Sequence, residues 1–205
     1  MSELSHLPDE TTTAILFDCD GTLVDTMPIH REIWHQLFLR YDFVITDEWW
    51  EEWANLPLLP MVLHAIPDAT PDLADQLNLE SIGMYNDMLH KIEPLEHVIE
   101  VARQFHGRLP MAVVTGGYRD IVVPSLDEAK ITHLFDYIVT ADDVTHSKPA
   151  PDLYELAMRK LGVDPEFCLV YEDSEIGMTS ARGAGAGRIV DIRRWPRSSG
   201  ISHQP

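Results

Sequence analysis

A short apolar run, Ala14–Phe17, ends in Asp18–Cys19–Asp20–Gly21–Thr22. In a strand, residues two apart point to the same side, so Asp18 and Asp20 can both face a ligand beyond its C-terminal end. Two carboxylates this close repel unless a cation lies between them or one stays protonated. The oxygen-rich setting suits Mg²⁺, although two solvated loop acids would read the same way. Thr115–Gly116–Gly117 offers a hydroxyl and backbone N–H groups ahead of a helix, which makes an anion site or, equally, a capped tight turn. Lys148 stands in Ser147–Lys148–Pro149–Ala150–Pro151–Asp152, where two prolines stiffen the backbone. In a chain of net charge −19 it is either the neutraliser of a phosphate or an exposed lysine. Tyr171–Glu172–Asp173–Ser174 carries a second acidic pair, which a helix capping box with Asp173 would also explain.

Each of these four stretches follows a run that reads as a strand. Strands are expected at 14–17, 111–114, 137–140, 168–171 and 188–192, and helices at 93–105, 118–129, 152–161 and 175–184. Continuous apolar runs suit strands buried on both faces, and alternation with helices implies a doubly wound α/β core with a Rossmann-like parallel sheet. In open sheets of this kind ligands bind beyond the C-terminal strand ends, where all four stretches would converge. The long interval between the first strand and Pro94 shows no strand pattern. Ile29, Ile33, Leu37 and Tyr41 mark one helix face, then come Trp49, Trp50 and Trp53, several prolines, and a helix from Pro71 to Leu89. It is too long for a strand-to-helix connection, so it reads as a small all-helical cap domain inserted after the first strand. The expected division is 1–25 with 94–205 for the core and 26–93 for the cap. The tail from Trp195 to Pro205 reads as frayed.

Charge and composition exclude several classes. Fifteen Lys and Arg face 34 Asp and Glu, a balance that repels phosphate backbones and anionic lipid. Neither nucleic acid nor a membrane is an expected partner, and no apolar run approaches the roughly 20 residues of a bilayer span. Two cysteines make no disulfide framework, and Cys19 and Cys168 read as inert core thiols in strands. A cytoplasmic protein, monomeric or weakly dimeric, is expected.

Asp18–Cys–Asp20–Gly–Thr, Thr115, Lys148–Pro and Glu172–Asp173 together resemble the four ordered motifs of the haloacid dehalogenase superfamily. The helical insert resembles its subfamily with an α-helical cap. Asp25–Thr–Met–Pro–Ile–His30, His106–Gly–Arg–Leu–Pro110 and His146–Ser–Lys–Pro–Ala–Pro–Asp152 are similar to the β-phosphoglucomutase-like phosphatases, above all bacterial enzymes acting on fructose-1-phosphate and 6-phosphogluconate. The resemblance implies a Mg²⁺-dependent phosphatase working through an aspartyl-phosphate on a small-molecule phosphomonoester. In it Asp18 is the nucleophile and Asp20 the general acid and base. Asp18, the Asp20 carbonyl and Asp173 bind Mg²⁺, with Glu172 in or beside that shell, while Thr115, the Gly116 amide and Lys148 hold phosphate oxygens. True dehalogenases lack the second aspartate, so Asp20 argues against dehalogenation.

The resemblance also implies an alternative, a β-phosphoglucomutase-type isomerase. Mutases of this group carry a cap loop with a glycine and an arginine that grips a second phosphate. The matching stretch here, Trp53–Pro60, has neither, and no Arg or Lys lies between Tyr41 and Asn86. Hydrolysis is therefore expected over isomerisation, and a non-catalytic binding role is the weakest alternative. The three tryptophans could stack on a sugar, but packing of the small cap's core is the expected role.

Overall fold

The structure, a computed structural model, describes residues 6–54 and 58–195. The first elements in chain order are β1 (Ala14–Phe17), β2 (Val24–Asp25), α1 (Met27–Leu39), α2 (Asp47–Trp53), α3 (Leu58–Ala65), α4 (Pro71–Asp87) and β3 (Glu93–Pro94). Then follow α5 (Glu96–Phe105), β4 (Met111–Val114), α6 (Arg119–Glu128), β5 (Tyr137–Val139), α7 (Asp152–Leu161), β6 (Cys168–Glu172), α8 (Glu175–Gly183) and β7 (Arg188–Asp191). They form two compact units, one holding the chain up to Asp25 and from Glu93 onward, the other Thr26–Ile92.

In the first unit five strands pair in the order β5-β4-β1-β6-β7, and every pairing is parallel. β1 is central: Ile15 lies opposite Met111 and Leu169, and Phe17 opposite Val113 and Tyr171. That register sets the C-terminal ends of β4, β1 and β6 side by side. All residues of these three strands are buried, as a parallel sheet covered on both faces requires. On one face Leu16, Val114 and Val170 pack with Leu153, Ala157 and Met158 of α7 and Ala181 of α8. Alternation turns Phe17 and Tyr171 to the other face, where their rings stack at 5.0 Å and Phe17 meets Phe135 edge-on. Each fully buried large side chain contributes about 1.5–3 kcal/mol.

Three details differ from the sequence reading. β2 and β3 form a two-residue antiparallel ribbon, Val24 opposite Pro94 and Asp25 opposite Glu93, too short to leave a periodic signal. Trp195 is not frayed: it packs against His6, His97 and Tyr171, and residues 196–205 lie outside the described part. Cys19 sits in the bend after β1 rather than in a strand, although it and Cys168 are both buried and burial pushes both thiols up.

The helical unit is built on α1, which buries Ile29, Ile33, Leu37 and Phe38; Tyr41 falls beyond the helix end and is 39% exposed. Thr46 and Thr70 cap α2 and α4 by accepting hydrogen bonds from Trp49 N–H and Leu73 N–H. Of the tryptophan trio only Trp49 is core, edge-on to Phe38 and Phe43; Trp53 stacks on Trp49 and meets His64 at a tilt, and Trp50 is half-buried. Arg31, Arg40 and Lys91, the unit's only cations, are each ion-paired, with Asp47, Glu80 and Glu32. Asn55–Pro57, within the loop compared with the mutases, lies outside the described residues. Among the described residues no helix is long and apolar enough to cross a membrane.

Candidate active site

Asp18 is the first residue past β1, and its N–H extends the ladder by donating to the Tyr171 carbonyl at 3.0 Å. The chain then turns sharply, with Leu23 N–H donating to Cys19 O at 2.8 Å and Gly21 N–H to Val24 O at 2.8 Å. Gly21 takes a φ of +78°, and a Cβ there would overlap the Asp173 carboxylate. Glycine is needed twice over at that position, for its left-handed backbone and for the approach of a residue 152 positions away.

The Lys148 side chain is only 6% exposed. Its ammonium donates to Asp18 Oδ1 at 2.6 Å and to Glu172 Oε1 at 2.5 Å. Glu172, fully buried at the end of β6, is saturated with donors. Its Oε1 also accepts from the Tyr154 hydroxyl at 3.1 Å, and its Oε2 accepts from Asp173 N–H, Ser174 N–H and Ser174 Oγ at 3.0–3.1 Å. Ser174, not Asp173, is the N-cap of α8, accepting from Gly177 N–H at 3.1 Å, so Asp173 is released from capping. Gly177 lets the helix come this near, since a Cβ there would overlap the Glu172 carboxylate. Ser180 of α8 donates to the Ala150 carbonyl at 2.5 Å and ties the helix to the Lys148 loop.

Asp20 belongs to a neighbouring group. Its Oδ2 lies 3.5 Å from Thr115 Oγ1, a contact rather than a strong hydrogen bond, and beside Gly117. Thr115 is buried at the end of β4 and its hydroxyl accepts from Gly117 N–H at 2.9 Å, while α6 starts after Tyr118. Thr115 therefore shapes the turn and does not cap the helix. Exposed Gly116 faces Ser147 Oγ, 3.2 Å from where a Cβ would stand, which sets it against the residue preceding Lys148.

The charges here do not balance. Oxygens of Asp18, Glu172 and Asp173 lie within 4.8 Å of one another beside a single ammonium, which pairs with the first two; with all three ionised, two negative charges are unmatched. Burial pushes the Asp18 carboxyl well up; Lys148 opposes this, and Glu172, Asp173 and Asp20 reinforce it. Burial and then Glu172 bring Asp173 to about 7. Burial alone would lower Lys148, but Asp18 and its other neighbours hold it well above its usual range, so the ammonium stays charged. Tyr154 is likewise pushed well up by burial and remains a neutral donor. Two unmatched charges on hard oxygens fit one divalent cation of the Mg²⁺ type, and the donor set contains no sulfur.

The structure thus gathers Asp18, Lys148, Glu172 and Asp173 in one cluster, with Asp20, Thr115 and Gly116 on the same strand ends. Sequence reasoning missed Tyr154, Ser174, Gly21 and Gly177. Tyr154 reads as one more apolar-face residue of α7, and only its place six residues after Lys148 could have flagged it. The acids after β5, Asp142 and Asp143, stay out of the site: they accept from Arg119 and from the Thr140 N–H.

The profile of the haloacid dehalogenase-like hydrolase family matches residues 15–190. The chain is similar to the fructose-1-phosphate phosphatase YqaB of Escherichia coli, 35% identical over 90% of this chain and 98% of that one. It is 27% identical to a phosphorylated carbohydrates phosphatase of Thermotoga maritima, over 87% and 84% of the two chains. In fold it is similar to the crystal structure of CbbY from Rhodobacter sphaeroides in complex with phosphate, with a TM-score of 0.76, 24% identity, and coverage of 88% and 94%.

Proposed function

This chain belongs to the haloacid dehalogenase-like hydrolases, and on that premise we propose that it dephosphorylates a small phosphorylated metabolite through a phospho-enzyme on Asp18. The substrate class we propose is a sugar phosphate of the fructose-1-phosphate or 6-phosphogluconate type. The observation that carries the reading is the buried Lys148 ammonium held 2.6 Å from Asp18 within an acid cluster short of cations.

In this reading Asp18 attacks phosphorus and the bond to the substrate oxygen breaks. Asp20 gives that oxygen its proton, since an alkoxide is a poor leaving group; such a positioned acid contributes about 10²–10⁴-fold. Asp20, now a base, takes a proton from the water that attacks the aspartyl-phosphate, and Asp18 is restored with release of phosphate. Lys148, the Thr115 hydroxyl and the Gly116 amide hold the non-bridging oxygens and offset their charge. Asp18, the Asp20 carbonyl and Asp173 would hold Mg²⁺ with Glu172 beside them, and a bound cation supplies further neutralisation of the phosphoryl oxygens.

Residues 26–93 are read as the family's cap domain. All three cations of this unit are held in ion pairs, which favours a substrate with a single phosphate over a bisphosphate and hydrolysis over isomerisation. The likeness to the Escherichia coli fructose-1-phosphate phosphatase over nearly both lengths supports the sugar-phosphate class. A cytoplasmic setting completes the proposal. The test is a panel of sugar phosphates, nucleotides and an aryl phosphate with Mg²⁺, ranked by kcat/KM. Phosphate release led by small monophosphorylated sugars is expected, and no release from any phosphomonoester overturns the reading.

A further inference from the structure

We propose that Tyr154 is a positioning residue that sets how the Lys148 ammonium is shared between Glu172 and the substrate phosphate, an inference that rests on the phosphatase reading. Tyr154 lies in the first turn of α7, six residues after Lys148, and Pro149 and Pro151 stiffen the stretch between them. The two side chains clasp one oxygen: Glu172 Oε1 accepts from Lys148 Nζ at 2.5 Å and from Tyr154 OH at 3.1 Å. The tyrosine ring also forms a wall beside the lysine, with Nζ 5.2 Å from the ring centroid. Packing alone does not call for the hydroxyl, because a phenylalanine ring would fill the same fully buried space.

The hydroxyl takes up part of the negative charge of Oε1. It thereby weakens the hold of Glu172 on Lys148 and leaves the ammonium free to turn to Asp18 and to a phosphoryl group beside it. Glu172 itself stays fixed by the Asp173 and Ser174 donors on Oε2. Without the tyrosine hydroxyl Oε1 has Lys148 as its remaining side-chain donor, and the lysine is drawn away from the phosphate. The hydroxyl makes no hydrogen bond to Asp18 or Asp173, the side chains that would hold the cation, and Glu172 keeps its Oε2 donors.

The test is Tyr154→Phe, read by inorganic phosphate as a competitive inhibitor of aryl phosphate hydrolysis and by the thermal shift that phosphate produces. The inhibition constant of phosphate and KM should rise together by about 3- to 10-fold, the worth of one hydrogen bond, with a smaller loss in kcat and an unchanged Mg²⁺ half-saturation. In a Lys148→Met background the same substitution should leave the phosphate-induced thermal shift where Lys148→Met alone puts it. A shifted Mg²⁺ half-saturation with unchanged phosphate affinity overturns the proposal, as does a loss of kcat and thermal stability with KM unmoved. Turnover by the parent protein separates this from the broader reading: a parent without phosphatase activity sinks both, while an active parent with an indifferent Tyr154→Phe sinks only this one.

Discussion

Two strand ends of one sheet carry adjacent acids, and they are treated in opposite ways. After β5, Asp143 is partly exposed, and although burial pushes it up, the Thr140 N–H and hydroxyl and then Arg119 bring it below the usual carboxylate range. After β6, burial and Glu172 hold Asp173 up at about 7. The first acid has its partners within the fold, where it closes a turn. The second sits in a cluster whose charge the described residues leave unmatched, and that deficit is what a cation and a phosphoryl group would relieve. Acid content at a strand end does not mark a site; uncompensated acid does.

The largest effect should come from the nucleophile. Asp18→Asn should reduce turnover on the order of 10⁴-fold while the melting temperature holds or rises, because one charge leaves an overcharged cluster. Calorimetry and steady-state rates check both halves. Glu172→Ala should act the other way round on stability. It strands buried donors from Lys148, Tyr154, Asp173 and Ser174, at a cost of about 3 kcal/mol or more in chemical denaturation. If Glu172→Ala proved harmless to stability, the picture of it as a saturated acceptor would be wrong.

Asp173→Asn should raise the Mg²⁺ half-saturation by about 10²-fold. The same residue predicts a pH effect. Its folded value of about 7 lies above the 3.8 of an ordinary aspartate, so its contribution to stability is present at low pH and is lost as pH rises through 7. Metal-free protein should therefore lose melting temperature between pH 4 and about 7, Mg²⁺ should restore more at pH 8 than at pH 6, and Asp173→Asn should flatten both trends. Asp143 has the opposite sign, its contribution being present above 3.8 and lost as pH falls through its lower folded value. Asp143→Asn, the smallest effect, should cost about 1 kcal/mol and leave turnover and Mg²⁺ dependence alone. A change in Mg²⁺ half-saturation there would erase the distinction between the two strand ends.

Much of this was legible in the residues. The runs 14–17, 111–114 and 168–171 read as buried strands because parallel central strands are apolar on both faces; the acids and Thr115 followed from their places at the ends of those runs, and Lys148 from its proline-stiffened turn after the run 137–140. What stayed hidden depends on close approach in space. Nothing in the spacing of Gly21 or Gly177 says which carboxylate lies against it. Tyr154 keeps the helical period of a core residue, and its hydroxyl has a task only because β6 brings Glu172 beside it. Trp49, Trp50 and Trp53 fall on one short helix, yet only the first is core: Trp50 turns to a different face, and Trp53, four residues on along the face of Trp49, is the helix's last residue. The ribbon of β2 and β3 has too few residues for any period.

The most direct test uses Asp20→Asn, which keeps the proposed nucleophile and removes the base that would discharge it. Mixed with an aryl phosphate, whose leaving group needs little protonation, it should release one equivalent of phenol in a burst and then stall. The phosphoryl group should be found by mass spectrometry on the peptide containing Asp18. Sustained turnover by this variant with no phosphoryl group on Asp18, or its appearance on another residue, would contradict the account.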